Sequence, residues 1–133
     1  MRTIIVIALA MLSTAAHAAD VDISVPMLDQ SGEPVMDCDK VSATTGQCES
    51  FVPLTLGRLI AGAVDQSEPG LKPEEVVARG TLALHVRQAL RTTPPVLFNM
   101  DADNAALAKA QIVKSRVAPS VAVQAIELLG VTK

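Results

Sequence analysis

From Asp20 to Leu28 (DVDISVPML) apolar residues alternate with mostly polar ones, and Val21, Ile23, Val25 and Met27 share one side. That is the two-residue period of a half-buried strand. Pro26 has no N–H to give a ladder, which places this strand at an edge. Asp29-Gln30-Ser31-Gly32 predicts a turn with the glycine in a left-handed conformation. Pro34 to Val41 predicts a second strand, with Val35 inward and Cys38 or Val41 as the next inward position. Glu49 to Pro53 predicts a third, short strand.

The period changes at Thr55, a hydroxyl N-cap ahead of Leu56–Val64. Leu56, Leu59, Ile60 and Ala63 fall on one helical face. Gly57 and Gly62 each cost about 1 kcal/mol relative to Ala inside a helix, and they leave room for a neighbouring element to come close. Asp65 to Lys72 is a loop punctuated by Pro69-Gly70. Pro73-Glu74-Glu75 opens the next helix, since proline suits the first turn and acids oppose its positive dipole end. Its expected buried stripe is Val76, Val77, Gly80, Ala83, Leu84 and Leu90, with Glu75 and Arg79 paired on the outer side. Arg91 to Pro95 ends it, and Val96-Leu97-Phe98 predicts a fourth strand. Asp101 or Asp103 caps a helix reaching about Ser115, with Ala106, Ala110, Val113 and Val117 at helical spacing. Pro119 interrupts it and restarts a last helix over Val121–Leu129, closed by Gly130.

The first eighteen residues follow a different pattern. Met1-Arg2-Thr3 is short and basic, Ile4–Leu12 is unbroken apolar sequence, and Ser13–Ala18 is small and ends Ala16-His17-Ala18. This is the layout of a secretory signal cut between Ala18 and Ala19. The apolar run is well short of the about 20 residues that span a bilayer. Ala19 stands where a lipid-anchored protein would have cysteine. The expectation is a periplasmic or secreted domain with no stable membrane anchor after cleavage. Without its leader the chain has 10 Lys+Arg against 14 Asp+Glu, a net charge of 10 − 14 = −4. An acidic domain with no basic stripe gains nothing from phosphate counterion release, and two phenylalanines without Trp or Tyr give few stacking platforms. Nucleic acid is therefore set aside as a partner, and the core must be built from Leu, Val, Ile and Ala.

Export gives the cysteines their reading. Cys38 and Cys48, nine residues between them, predict one disulfide across a β-hairpin, with Gly46 in the turn. A C-x-x-C redox site needs tighter spacing. A zinc site needs more ligands, and the one histidine past the leader, His85, sits in a helical segment far along the chain. His85 has no serine or cysteine motif beside it and reads as a surface helical residue. Asp101-Ala102-Asp103-Asn104 resembles the start of a calcium loop, but the later glycine and glutamate positions hold Ala106 and Ile112, so helix capping is the better account. Asp37 and Asp39, which bracket Cys38, read as a solvated hairpin face rather than a cation site. No glycine-rich phosphate loop precedes any helix, and no cofactor is expected.

Leu54-Thr55-Leu56-Gly57, then Leu71-Lys72-Pro73-Glu74-Glu75 leading to Arg79 and Leu82-Ala83-Leu84, then Asp101–Val117 and Val121–Leu129, together resemble a group of small bacteriophage-encoded proteins. The resemblance covers roughly residues 51 to 129 and implies a phage or prophage source and a mainly helical C-terminal region. The leader and the Cys38/Cys48 pair depart from that group and would make this an exported member.

Taken together, the expected fold is α+β: one domain over 19–133, β-rich over 19–53 and mainly helical over 54–133. A disulfide-stapled hairpin region packs on about four short helices. The expected function is a non-catalytic protein-interaction or structural module with an unidentified protein partner. The rival readings are an enzyme with an unrecognised acid–base site built on acids such as Asp101 and Asp103, and a structural component of a virion.

Overall fold

A computed structural model describes residues 19–130. The expected leader, with the expected cleavage residues Ala16 and Ala18, lies outside the described residues. The order is β1 (Ala19–Asp22), β2 (Met36–Val41), β3 (Cys48–Pro53), α1 (Leu56–Val64), α2 (Pro73–Ala89), β4 (Leu97–Met100), α3 (Ala102–Lys114) and α4 (Pro119–Leu128). Two small antiparallel sheets, β1–β4 and β2–β3, accompany the four helices, so the fold is α+β with the hairpin stapled by Cys38–Cys48. α1 packs against both α2 and α3, and α3 against α4.

The segment 19–28 is threaded between the other parts. The alternation correctly orients Val21, Ile23 and Met27, all buried, but the expected single strand is broken after Asp22. The Asp22 carboxylate accepts from the Ser24 N–H at 3.0 Å and the Ser24 hydroxyl at 2.5 Å, a local turn that competes with the ladder. β1 pairs with β4, and beyond the turn Ile23 N–H donates to Val96 O at 2.9 Å. Pro26 sits in an isolated bridge opposite Thr55. Further on, the Leu28 main chain is gripped by the Gln124 side-chain amide of α4, which accepts from its N–H at 2.9 Å and donates to its carbonyl at 2.6 Å.

The first turn of α1 meets this threaded segment. A helix leaves its first N–H groups without intrahelical partners. Here Leu56 N–H donates to Val25 O at 2.8 Å, Gly57 N–H to Ile23 O at 2.8 Å, and Arg58 N–H to the Thr55 hydroxyl at 3.2 Å. The approach requires glycine: a Cβ on Gly57 would sit 2.9 Å from Leu90 Cδ2 and 3.0 Å from the Ile23 carbonyl oxygen. A Cβ on Gly62 would meet open space.

Two helices are rotated from the orientation that their patterns predict. α2 buries Arg79, Leu82, Ala83 and Val86, while Val76, Val77 and Leu84 are more than half exposed and Gly80 faces solvent. The expected Glu75–Arg79 surface pair is replaced by an ion pair between Arg79 Nη1 and Glu68 Oε1 at 3.3 Å. α3 buries Ala108, Gln111 and Ile112, not Ala106, Ala110 or Val113, and Val117 is half-buried. Both helices carry small or apolar residues on every side, so periodicity gives little contrast and packing on α1 decides the face. Val41, a possible inward residue of β2, is exposed.

Gly57→Ala should destabilise the protein by roughly 1–3 kcal/mol, because the backbone oxygen it meets has no room to give. Gly62→Ala, five residues on in the same helix, should stabilise it by about 1 kcal/mol. Urea unfolding of both variants checks the opposite signs. The Ser24 hydroxyl and N–H, with a weaker contribution from Val96 N–H, outweigh burial and hold the Asp22 carboxyl below its ordinary value of 3.8. A depressed native pKa favours folding above the ordinary value, and the benefit fades as pH falls through the native value. Asp22→Asn should therefore melt below the wild type near neutral pH, and the gap should close under acid. Thermal scans on both sides of that value measure it.

Candidate functional site

The hairpin and α1 are joined by one side chain. Asp37 lies opposite Val52 on the ladder, on the opposite face to the Cys38/Phe51 pair. Arg58 reaches this face from the first turn of α1. Its Nε and Nη2 lie 3.1 and 3.0 Å from Asp37 Oδ2, its Nη1 3.5 Å from Asp39 Oδ1, and its Nη2 3.4 Å from the Cys38 carbonyl. The guanidinium thus holds three consecutive residues around the disulfide. Asp37 and Asp39, read from the sequence as a solvated face, are ion-paired to a cation. Cys38 and Cys48 are bonded, with Cα atoms 5.8 Å apart. Cys38 pairs with Phe51 and Cys48 with Val41, so the bridge crosses a ladder whose register shifts around Lys40.

Two clefts open on either side of Arg58 and Leu90, which line both. One, of about 380 Å³, is mainly apolar and is walled by Pro26, Val52, Pro53, Pro94 and Val96, with Thr55 and Ser24 as polar edges. The other, of about 520 Å³, carries Asp37 and Asp39 from the hairpin, Ala61 and Gly62 from α1, Arg87 from the last turn of α2 and Arg91 just beyond it. Both volumes fall in the usual ligand-site range of roughly 300–1,000 Å³. Arg87 is engaged with Asp65 at 2.8 Å. Arg91 is exposed and has no ion-pair partner among the described residues. An acidic protein has thus gathered three arginines around one basin, beside an apolar slot.

The other residues singled out by sequence lie elsewhere. Thr55 caps α1 and Asp101 caps α3, its Oδ1 accepting from Asn104 N–H at 2.7 Å. Asp103 does not cap; it stands in the first turn of α3. The Asp101 carboxylate is engaged by the helix start, and neither acid lines either cleft. Ala19 opens β1, and His85 is exposed on α2. Arg58, Leu90 and Arg91 were not legible as site residues. The partners of Arg58 lie about twenty positions upstream, and the only local sign was that each falls at a helix end.

Arg58→Met keeps the aliphatic stem and removes the grip on the hairpin. Its carboxylate partners are about half exposed, so the expected cost is about 1 kcal/mol. Replacing both cysteines by serine should cost roughly 3 kcal/mol by the chain-entropy model. The combined variant should lose less than the sum, because the two fastenings hold the same strand. Unfolding curves of the single and combined variants give the coupling.

Searches against protein-family models, curated proteins and solved structures find no match to this chain.

Proposed function

We propose that this chain is an exported, non-catalytic protein-binding domain whose recognition surface is the double cleft about Arg58 and Leu90. Its ligand is a protein segment that presents an apolar side chain next to a carboxylate. The observation that carries this is the juxtaposition of a mainly apolar slot and an arginine-lined basin through two shared residues, with Arg91 unpaired among the described residues. The apolar side chain would enter between Pro26, Pro53 and Val96, and the carboxylate would meet Arg91 at the other side of Leu90. Arginine is among the residue types enriched at the few positions that carry most of the binding energy of protein interfaces. Export is supported by the leader pattern and by a disulfide, which persists in oxidising compartments. Among the described residues, no helix is long and apolar enough to cross a membrane.

The test uses arrayed synthetic peptides that pair Leu or Phe with Asp or Glu, against a matched array carrying Lys or Arg. Acidic–apolar peptides should shift the backbone amide resonances of Thr55, Arg58 and Arg91, and the basic array should not. Arg91→Glu should lower the affinity for the acidic peptides about tenfold or more. Binding indifferent to charge sign, or shifts confined to another surface, overturns the assignment of the cleft. N-terminal sequencing of cell-derived protein should begin at Ala19; a start at Met1 overturns export.

A further inference from the structure

α2 has an apolar face that this domain does not cover. Its inner side, Leu82, Ala83 and Val86 with Arg79, packs into the core. On the opposite side Val77 and Leu84, seven residues apart and therefore stacked two turns along one face, are 66% and 55% exposed. Between them lie Gly80 and Thr81, both exposed. Gly80 sits in a helix interior, where glycine is disfavoured, and a Cβ there would meet nothing. Nothing in the packing of the single chain calls for glycine at that point.

The face is symmetric about its own middle. The point between Gly80 and Thr81 is equidistant from Val77 and Leu84, and it is also equidistant from Glu74 and Arg87. The charges run in order along the helix, with Glu74 and Glu75 in the first turn, Arg87 in the last, and Arg91 just beyond. A parallel neighbour would set acids beside acids and arginines beside arginines. An antiparallel copy sets each acidic start beside a basic end and each dipole against its opposite. It also brings Val77 of one copy to the height of Leu84 of the other. A surface that complements itself in this way is what a two-fold dimer requires.

We propose that the occupant of this face is a second copy of the chain, packed antiparallel along α2 about a two-fold axis passing between Gly80 and Thr81, with Gly80 letting the two helices come close. Each copy offers a single helix face, a smaller area than the roughly 800 Å² per partner of a standard interface, so association depends on concentration. The basic end of this seam shares Arg87, which also pairs with Asp65, and Arg91 with the arginine basin, whereas Thr81 and Leu84, which the test changes, line neither cleft.

Sedimentation velocity on the purified chain from about 1 µM to about 1 mM should show a monomer passing to a dimer. Leu84→Glu should raise the concentration of half-dimerisation at least about tenfold, since a carboxylate then replaces an apolar side chain in the seam of each copy. Val113→Glu, at an equally exposed valine on α3, should leave it unchanged. Thr81→Cys, mildly oxidised, should yield a chain-to-chain disulfide, and Thr92→Cys, beyond the end of α2, should not. A monomer across the whole range, or a dimer indifferent to Leu84→Glu, overturns the proposal. A Leu84-sensitive dimer that Thr81→Cys fails to cross-link overturns the antiparallel arrangement.

Discussion

The unpaired N–H groups at the start of α1 organise the rest of the molecule. Burying a helix start leaves donors that each cost about 1–3 kcal/mol if unmet. Here the carbonyls of Ile23 and Val25 and the Thr55 hydroxyl meet them. This fixes where the segment 19–28 must run, and its earlier half then carries β4 as a paired strand. The same contact demands a glycine at residue 57, because Leu90 and the Ile23 oxygen occupy the place of a side chain. Leu90, held against Gly57 in this way, becomes the partition between the two clefts. Position 58, next in the same turn, then points an arginine at the hairpin. Sheet, hairpin and cleft are therefore all referenced to one helical turn.

What was legible in the sequence was local. Thr55 and Asp101 are oxygen caps within three residues of the N–H groups they accept from, and Gly32, Gly46 and Gly130 adopt the left-handed conformations that their positions called for. The hairpin and its bridge needed only the spacing of Cys38 and Cys48 and the turn glycine between them. The rotation of α2 and α3 was illegible, because Ala, Val and Gly distributed around a helix give hydrophobic periodicity no direction. Arg79 shows the difficulty. Its charge placed it outside by pattern, yet the loop before α2 supplies Glu68 and the side chain lies buried, with its Nε unpartnered. The Gln124 grip on Leu28 joins residues nearly a hundred positions apart, and nothing local announces it.

The electrostatics of the cleft follow from the same hub. Arg58 is largely neutralised by Asp37 and Asp39, and Arg87 by Asp65. These pairs are partly solvated, so they fix geometry more than they add stability. Arg91 is the arginine without an ion-pair partner among the described residues, just past the C-terminal end of α2, where a cation also complements the helix dipole. An acidic chain thus keeps one place, at Arg91, where an incoming carboxylate can meet a cation that no described carboxylate engages.

The three glycines in helix interiors bear on the surfaces as well as on the fold. A glycine there is a standing cost of about 1 kcal/mol, so each calls for a compensating reason. Gly57 has one inside the domain, in its contact with Ile23 and Leu90. Gly62 and Gly80 have none, since a methyl group at either would touch nothing. Gly62 instead lines the arginine basin, where a side chain would take up space open to a ligand. Gly80 lies at the edge of the uncovered face of α2, where it also lines a shallow cleft with Gln66, Ser67 and Leu71. Helix propensity alone would replace both with alanine. Their positions fall on the two surfaces proposed above as binding sites, where a weaker helix would be offset by room for something else to come near.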